Sequence, residues 1–153
     1  MKNSVLLTLL LLLLPLLCSC ISDNEEQAWS LQPGDPLPEF AVELNGIMIS
    51  TDMLRGSKAV IVFFNTGCSD CRDALPKIQD AYDLAMSSGE NVRYICISRE
   101  EEEDAISRYW QENGLTLPYS AQTGRTVYNM FADSGIPRVY IANENLIIEK
   151  VYE

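Results

Sequence analysis

Two kinds of hydrophobic pattern alternate along the chain. Continuous apolar runs at Ala59–Asn65 and Val92–Ser98 are typical of strands that are buried on both faces of a sheet. After each run, apolar residues recur at helical spacing, first from Cys68 to about Gly89 and then from Arg99 to about Gly114. The alternation of strand and helix predicts an α/β domain with a central sheet and flanking helices.

Shorter patterns extend this domain at both ends. Asn45-Gly46 is a strong hairpin signal between two extended runs, Ala41–Leu44 and Ile47–Ser50, and predicts an added N-terminal β-hairpin. A terminal hairpin makes the predicted sheet mixed, and no C-terminal helix is expected after it, because the sequence ends at Glu153. The other predicted elements are an extended piece at Leu117–Ala121, a helix from about Gly124 to Ala132, and strands at Arg138–Ala142 and Leu146–Tyr152.

The first twenty residues have the pattern of an export signal. Lys2 precedes an apolar run, Val5–Leu17, that is too short for a comfortable membrane span. The end of this run, Leu17-Cys18-Ser19-Cys20, resembles the lipoprotein box of bacteria, which implies cleavage after Ser19 and lipidation of Cys20. An ordinary signal peptide or a short uncleaved anchor are the alternatives. We therefore predict a signal peptide at 1–19, an acidic tether at 20–32 and one domain at 33–153.

Net charge narrows the possible partners. The chain has 22 acidic and 11 basic residues and a formal charge of −11. This balance argues against a nucleic-acid partner and against electrostatic attraction to anionic lipid. Attachment to the membrane would depend on the lipid anchor, which places the domain in the bacterial cell envelope, facing the periplasm or the outside.

Cysteines carry the candidate chemistry. Cys68 and Cys71 form a CxxC pair, whereas Cys96 lies between two isoleucines in a predicted strand and fits core packing. A structural zinc site needs four nitrogen or sulfur ligands, and the chain has no histidine, so no metal site is expected. Haem attachment needs a histidine directly after the pair, where Arg72 stands.

A reactive dithiol explains where the pair lies. Cys68 falls where a buried strand passes into a helix, and a helix N-terminus stabilises a thiolate. Cys71, one turn later, lies deeper and could resolve a mixed disulfide. Asp70 and Asp73 raise a neighbouring thiol pKa and Arg72 lowers it, so the sequence leaves the sign of the net effect open.

A second signal is Ile136-Pro137, which directly precedes a predicted strand. A cis peptide bond here would leave the backbone of Ile136 free to pair with an extended substrate peptide. The alternative is an ordinary trans proline at a strand start. In combination with the cysteine pair, we favour the cis form.

These features resemble the thioredoxin fold. The stretch from Pro33 to Tyr152, with Cys68-Ser69-Asp70-Cys71, Pro76 inside the helix and Gly135-Ile136-Pro137 downstream, resembles the membrane-anchored TlpA/ResA-like thiol-disulfide oxidoreductases. The resemblance implies that Cys68 attacks, Cys71 resolves and forms the Cys68–Cys71 disulfide, and Pro137 lies cis beside them. It also implies an active-site loop with Gly67, Ser69 and Asp70, no cofactor, exported disulfide-bearing proteins as substrates and an upstream thiol reductant of the membrane.

The chain departs from that family at three positions. Gly67 stands where the family usually has tryptophan, Val62 where thioredoxins bury an acid, and Ala74 where relatives often carry glutamate. Proton removal from Cys71 would then rely on water or on the substrate. These departures bear on the rate and the redox direction of the reaction and leave its basic chemistry unchanged.

Three functions compete at this point. The first is a thiol-disulfide oxidoreductase acting as a reductant of exported proteins. The second is a peroxiredoxin-like thiol peroxidase, but Asn65 and Val62 occupy the positions where that chemistry needs threonine and proline. The third is a non-enzymatic redox-sensing or binding lipoprotein that keeps the fold and a structural disulfide.

Overall fold

The computed structural model of the protein describes residues 28–153. Its main feature is a five-stranded mixed sheet in the order β5-β4-β3-β6-β7, with a separate two-stranded hairpin, β1-β2. The strands are β1 (Ala41–Leu44), β2 (Ile47–Ser50), β3 (Lys58–Phe64), β4 (Val92–Ser98), β5 (Tyr119–Ser120), β6 (Arg138–Ala142) and β7 (Ile148–Tyr152), and the helices are α1 (Ser69–Ser88) and α2 (Glu103–Asn113). This is the predicted thioredoxin-like architecture, including the N-terminal hairpin.

The central strand is β3. It pairs in parallel with β4 and antiparallel with β6, so both of its edges are hydrogen-bonded. All six residues from Ala59 to Phe64 are buried, which agrees with the continuous apolar run of the sequence. Because β3 is covered on both faces and paired at both edges, its C-terminal end has a fixed position, and the loop that leads to the CxxC pair starts there.

A different layer covers each face of the sheet. Val62 and Phe64 of β3 pack in one cluster with Leu75 of α1 and with Ile106 and Trp110 of α2. Ala59, Ile61 and Phe63 point to the opposite face, where the residues that surround them come from the N-terminal segment and from the 3₁₀ turn Tyr128–Met130. The two helices therefore share one face, and irregular segments cover the other.

Both helices end at a glycine, as their sequence pattern predicts. Gly89 follows α1 with φ 71° and Gly114 follows α2 with φ 63°, a backbone region that glycine enters without a steric penalty. Pro76 lies inside α1, which runs on as one helix to Ser88. Within residues 28–153, no helix is both long and apolar enough to span a bilayer, and no helix follows β7.

The predicted helix at Gly124–Ala132 is wrong. Only Tyr128–Met130 forms a turn of 3₁₀ helix. Val127, Tyr128 and Phe131 are buried, and this spacing imitates a helical face. The segment is held in part by the Arg125 side chain, which donates hydrogen bonds to residues later in the chain. Its acceptors are Asn129 Oδ1, at 3.2 Å, and the Asp133 carbonyl oxygen, at 2.5 Å.

Two strand boundaries also differ from the prediction. The extended piece predicted at Leu117–Ala121 contributes only the two residues of β5 to the sheet. β7 begins at Ile148 and not at Leu146, because Leu146 has φ 67° and belongs to the preceding turn. In that turn Asn143 Oδ1 accepts hydrogen bonds from the backbone N–H groups of Asn145 and Ile147.

The N-terminal end of the described chain packs on the domain. Leu31 N–H donates to the Phe131 carbonyl oxygen at 2.8 Å, and Trp29 N–H donates to Asp133 Oδ2 at 2.9 Å. Residues 28–32 of the predicted tether therefore contact the domain. The predicted signal peptide, Cys20 and residues 21–27 lie outside the described residues.

Phe63 is the centre of an aromatic cluster and provides a test of this core. Its ring lies 4.8–6.2 Å from the rings of Phe131, Tyr128 and Tyr140. We expect Phe63→Ala to lower the free energy of unfolding by about 3–5 kcal/mol, because it removes a large buried ring and leaves a cavity. Met48→Ala, at a side chain that is 56% exposed, is the control and should change it by less than about 0.5 kcal/mol. Equal effects of the two substitutions in urea unfolding would contradict this packing.

Candidate active site

Cys68 lies at the N-terminal end of α1, directly after the loop that leaves β3. It is the N-cap residue of the helix, with an extended backbone, and its carbonyl oxygen accepts the first helical hydrogen bond from Arg72 N–H at 3.1 Å. Its side chain is partly exposed. The thiol is therefore reachable from solvent and lies beside the unpaired N–H groups of the first helical turn.

Cys71 lies one turn further, with its side chain fully buried. Burial is the main reason that the pKa of Cys71 is raised to about 12, since it disfavours the charged thiolate. The Asn65 backbone N–H lowers the Cys71 pKa, and the hydrogen bond and the charge of Cys68 raise it. The Arg99 guanidinium makes a smaller contribution that lowers the same pKa. Both cysteines are thiols in this structure.

The Ile136–Pro137 peptide bond is cis, the form favoured from the sequence. It lies beside the first cysteine, whose Sγ donates to the Ile136 carbonyl oxygen at 3.7 Å. Both Ile136 and Pro137 are partly exposed. Two segments that are 68 residues apart in sequence thus meet at the Cys68 thiol.

The other predicted loop residues surround the thiol on the solvent side. Gly67, Ser69 and Asp70 are exposed. Gly67 N–H donates to Asn65 Oδ1 at 2.8 Å, and Cys68 N–H donates to the Asn65 carbonyl oxygen at 3.1 Å. The loop is thus a tight turn that is closed by its own first residue.

Glu101 is a functional candidate that the sequence analysis missed. The run Glu100–Glu103 has the pattern of a solvated helix start, yet the Glu101 side chain is buried. Its carboxylate accepts hydrogen bonds from Thr66 N–H, at 2.8 Å, and from the Thr66 hydroxyl. No local pattern distinguishes Glu101 from its neighbours, because its partner lies 35 residues away.

Cys96 and Val62 lie in the core behind the dithiol, in the same cluster as Cys71. Cys96 is buried in β4 and belongs to the core cluster, and burial alone raises its pKa. Val62, at the position where thioredoxins bury an acid, is also fully buried in this cluster. Within residues 28–153, no group of three or more cysteine, histidine or acidic side chains is placed to hold a metal ion.

An open groove lies beside the dithiol. It runs from Asp70 and Pro137 between α1 and the ends of β6 and β7, with a largely apolar lining. Its other lining residues are Asp73, Ala74, Lys77, Ile78, Val139, Tyr152 and Glu153. The groove therefore lies next to the dithiol, between its helix and the cis-proline segment.

A dithiol at the start of a helix, next to a cis proline and on a mixed sheet, defines a thioredoxin-like protein. The chain matches the model of the AhpC/TSA family over residues 33–151. The chain belongs to this family.

Named relatives agree with this assignment. The chain is 25% identical over 123 residues to the thiol-disulfide oxidoreductase ResA of Bacillus subtilis, covering 80% of this chain and 68% of ResA. It is 27% identical over 151 residues to sporulation thiol-disulfide oxidoreductase A of the same organism, covering 98% and 90%. These names agree with the class of enzyme predicted from the sequence, a thiol-disulfide oxidoreductase.

Solved structures show the same fold. StoA from Bacillus subtilis superposes with a TM-score of 0.62 at 24% identity, covering 78% of this chain and 90% of StoA. A thiol:disulfide interchange protein of the thioredoxin family from Chlorobium tepidum gives a TM-score of 0.67 at 21% identity, covering 81% and 88%.

The different environments of the two thiols predict different reactivity. Near neutral pH we expect iodoacetamide to alkylate Cys68 in a Cys71→Ser variant at least about ten times faster than Cys71 in a Cys68→Ser variant. The reason is that the thiolate is the nucleophile, and burial holds Cys71 in the thiol form until the pH approaches its raised pKa. Mass spectrometry of the labelled peptides measures both rates. Equal rates in the folded proteins would contradict the prediction, and unfolded samples, in which both thiols are exposed, serve as the control.

Proposed function

We propose that the protein is a thiol-disulfide oxidoreductase that uses Cys68 and Cys71 to reduce disulfides in exported proteins. The observation that carries this proposal is the arrangement of the pair. A reachable thiol lies at a helix N-terminus beside the Ile136 carbonyl oxygen, and a second thiol is buried behind it. Such a pair can form a mixed disulfide with a large substrate through its exposed thiol and then release the reduced substrate when the buried thiol attacks.

The first step is attack by the Cys68 thiolate on one sulfur of the substrate disulfide. A bond forms between Cys68 Sγ and that sulfur, and the substrate S–S bond breaks. The other substrate sulfur leaves as a thiolate and takes a proton from water. The carbonyl oxygen of Ile136, 3.7 Å from Cys68 Sγ, marks where an extended substrate backbone could pair with the cis-proline segment.

The second step is attack by Cys71 on Cys68 Sγ. The mixed disulfide breaks, the second substrate sulfur leaves as a thiolate, and the Cys68–Cys71 disulfide forms. Two electrons have then passed from the protein to the substrate. Cys71 must lose its proton for this attack, and the first step lowers its pKa. Once Cys68 is in a mixed disulfide, it no longer contributes the charge and the hydrogen bond that raise the Cys71 pKa. The Asn65 N–H group and the Arg99 guanidinium still lower that pKa.

The proposed location follows from the sequence. Lipidation of Cys20 after cleavage at Ser19 would anchor the domain to a membrane of the bacterial cell envelope, facing the periplasm or the outside. Disulfides persist in such compartments, so exported proteins are available as substrates. An upstream thiol reductant of the membrane would return the oxidised pair to the dithiol.

Insulin reduction tests the reaction. We expect the domain to accelerate reduction of insulin by dithiothreitol, and Cys68→Ser to abolish the acceleration because it removes the nucleophile. Cys71→Ser should instead accumulate a mixed disulfide through Cys68, visible by mass spectrometry. Cys96→Ser is the matched control, since Cys96 is fully buried in the core and is not part of the CxxC pair.

Retained activity in Cys68→Ser, or no acceleration by the unmodified domain, would contradict the proposal. Consumption of hydrogen peroxide that depends on Cys68, without insulin reduction, would identify a thiol peroxidase instead. A folded domain with neither activity would indicate a redox-sensing or binding protein.

Membrane attachment has its own test. We expect the full chain, expressed in a bacterium, to sediment with membranes and to incorporate labelled palmitate. Cys20→Ser should lose the label, because it removes the acylated thiol. Cys18→Ser is the control and should keep it. Labelled Cys20→Ser protein would contradict lipidation at this residue.

A further inference from the structure

We propose that Glu101 is a positioning residue for the dithiol: through Thr66 it holds the loop in which Cys68 is placed to react with Cys71. The proposal rests on the proposed function, because it assigns Glu101 a part in the chemistry of that cysteine pair. Glu101 itself lies outside the CxxC motif, at the turn between β4 and α2.

The contacts of Thr66 are the first support. Its N–H and its hydroxyl each donate to a different oxygen of the Glu101 carboxylate. Its carbonyl oxygen accepts a hydrogen bond from Arg72 Nε at 2.5 Å. All three polar groups of Thr66 are therefore bound by charged side chains, and hydrogen bonds to charged groups are the strong ones. Thr66 is two residues from Cys68.

The backbone around Glu101 is the second support. Glu100 has φ 58°, a conformation that residues other than glycine rarely adopt. Just after it, Glu101 N–H donates to the Gln122 carbonyl oxygen at 2.9 Å, and the Glu101 carbonyl oxygen accepts from Ser98 Oγ at 3.4 Å. The backbone therefore turns sharply at Glu100, and these hydrogen bonds hold the turn. In this conformation the Glu101 carboxylate points to the loop that contains Thr66.

Glu101 is the charged side chain of the β4–α2 turn that bonds to the loop. Gly67, between Thr66 and Cys68, has no side chain to pack, and a Cβ atom there would lie only 3.0 Å from Asn65 Oδ1. Asn65 Nδ2 also reaches this turn and donates to the carbonyl oxygens of Arg99, at 3.0 Å, and Glu100, at 3.5 Å, but both of these acceptors are uncharged. The Glu101 carboxylate therefore supplies a charged link between the loop and the β4–α2 turn, beside the neutral links made by Asn65.

Anchoring matters because a disulfide forms within the pair only when Cys68 Sγ is held near Cys71 Sγ. Holding two reacting groups in place raises their effective concentration, and a looser loop lowers it. A lower effective concentration makes the Cys68–Cys71 disulfide less stable relative to glutathione disulfide. It also slows the second step, in which Cys71 attacks Cys68.

The experiment compares Glu101→Ala with Glu102→Ala, whose side chain is exposed and makes no capping hydrogen bond. The equilibrium of the pair with glutathione and kcat/KM for insulin reduction are measured on each folded protein. We expect Glu101→Ala to lower the equilibrium constant for disulfide formation about tenfold, which corresponds to a potential that is about 30 mV less negative. Glu102→Ala should match the unmodified protein.

Two further variants keep the test decisive if Glu101→Ala folds poorly. Glu101→Gln retains an oxygen that can accept from Thr66, so it should show a smaller shift in the same direction. Thr66→Val removes only the hydroxyl, and its effect should not add to that of Glu101→Gln, because both act through one contact.

An equilibrium constant and a kcat/KM that are unchanged in every folded Glu101 and Thr66 variant, with only the unfolding free energy reduced, would overturn the proposal. Additive effects of Thr66→Val and Glu101→Gln would overturn it as well. Failure of the proposed function looks different, because the unmodified protein would then show no reversible dithiol at all.

Discussion

The register between β3 and β6 is the constraint on which the candidate site depends. Phe63, near the end of β3, pairs with Arg138, the first residue of the antiparallel strand β6. This pairing brings the residue before Arg138, Pro137, to the edge of the sheet where β3 releases the chain into the CxxC loop. A shift of one residue would turn the side chains of β6 to the opposite faces of the sheet, so burial of Tyr140 and Ala142 fixes the register.

The same strand end explains why the two cysteines differ. Four residues separate the end of β3 from the start of α1, and α1 packs Leu75 against the sheet. The first turn of α1 therefore has one side facing the core and one facing solvent. Cys71 falls on the core side and Cys68 at the helix start. One short loop thereby supplies an accessible thiol and a buried thiol, which is the arrangement that the proposed exchange reaction uses.

Local sequence patterns predict the parts of this structure that depend on local physics. Examples are the continuous apolar run of β3, the Asn45-Gly46 turn and the glycines after both helices. The residues of each of these segments are enough to predict its conformation. The segment 124–132 was mispredicted because three buried residues at helical spacing are there held by a 3₁₀ turn and by Arg125. Spacing records which residues are buried, but not which hydrogen bonds close the turn.

The role of Glu101 was out of reach for a related reason. Four consecutive glutamates look alike in sequence, and only Glu101 among them is buried, with its carboxylate bonded to Thr66. The sequence shows directly that Val62 and Ala74 stand where related proteins have acidic residues. The burial of the Glu101 carboxylate beside the loop, in contrast, depends on long-range packing. Contacts of this kind become visible only once the sheet has brought the β3 and β4 ends together.

The reduction potential of the Cys68–Cys71 pair in the unmodified protein tests the central claim most directly. Equilibration with dithiothreitol buffers, followed by mass spectrometry of trapped thiols, gives its value. A reductant of exported proteins should show a reversible two-electron couple near that of thioredoxin, roughly −270 mV. A value near the oxidising end, roughly −120 mV, would contradict the reducing direction. A pair that does not exchange at all in the folded protein would contradict the assignment of these cysteines as the active site.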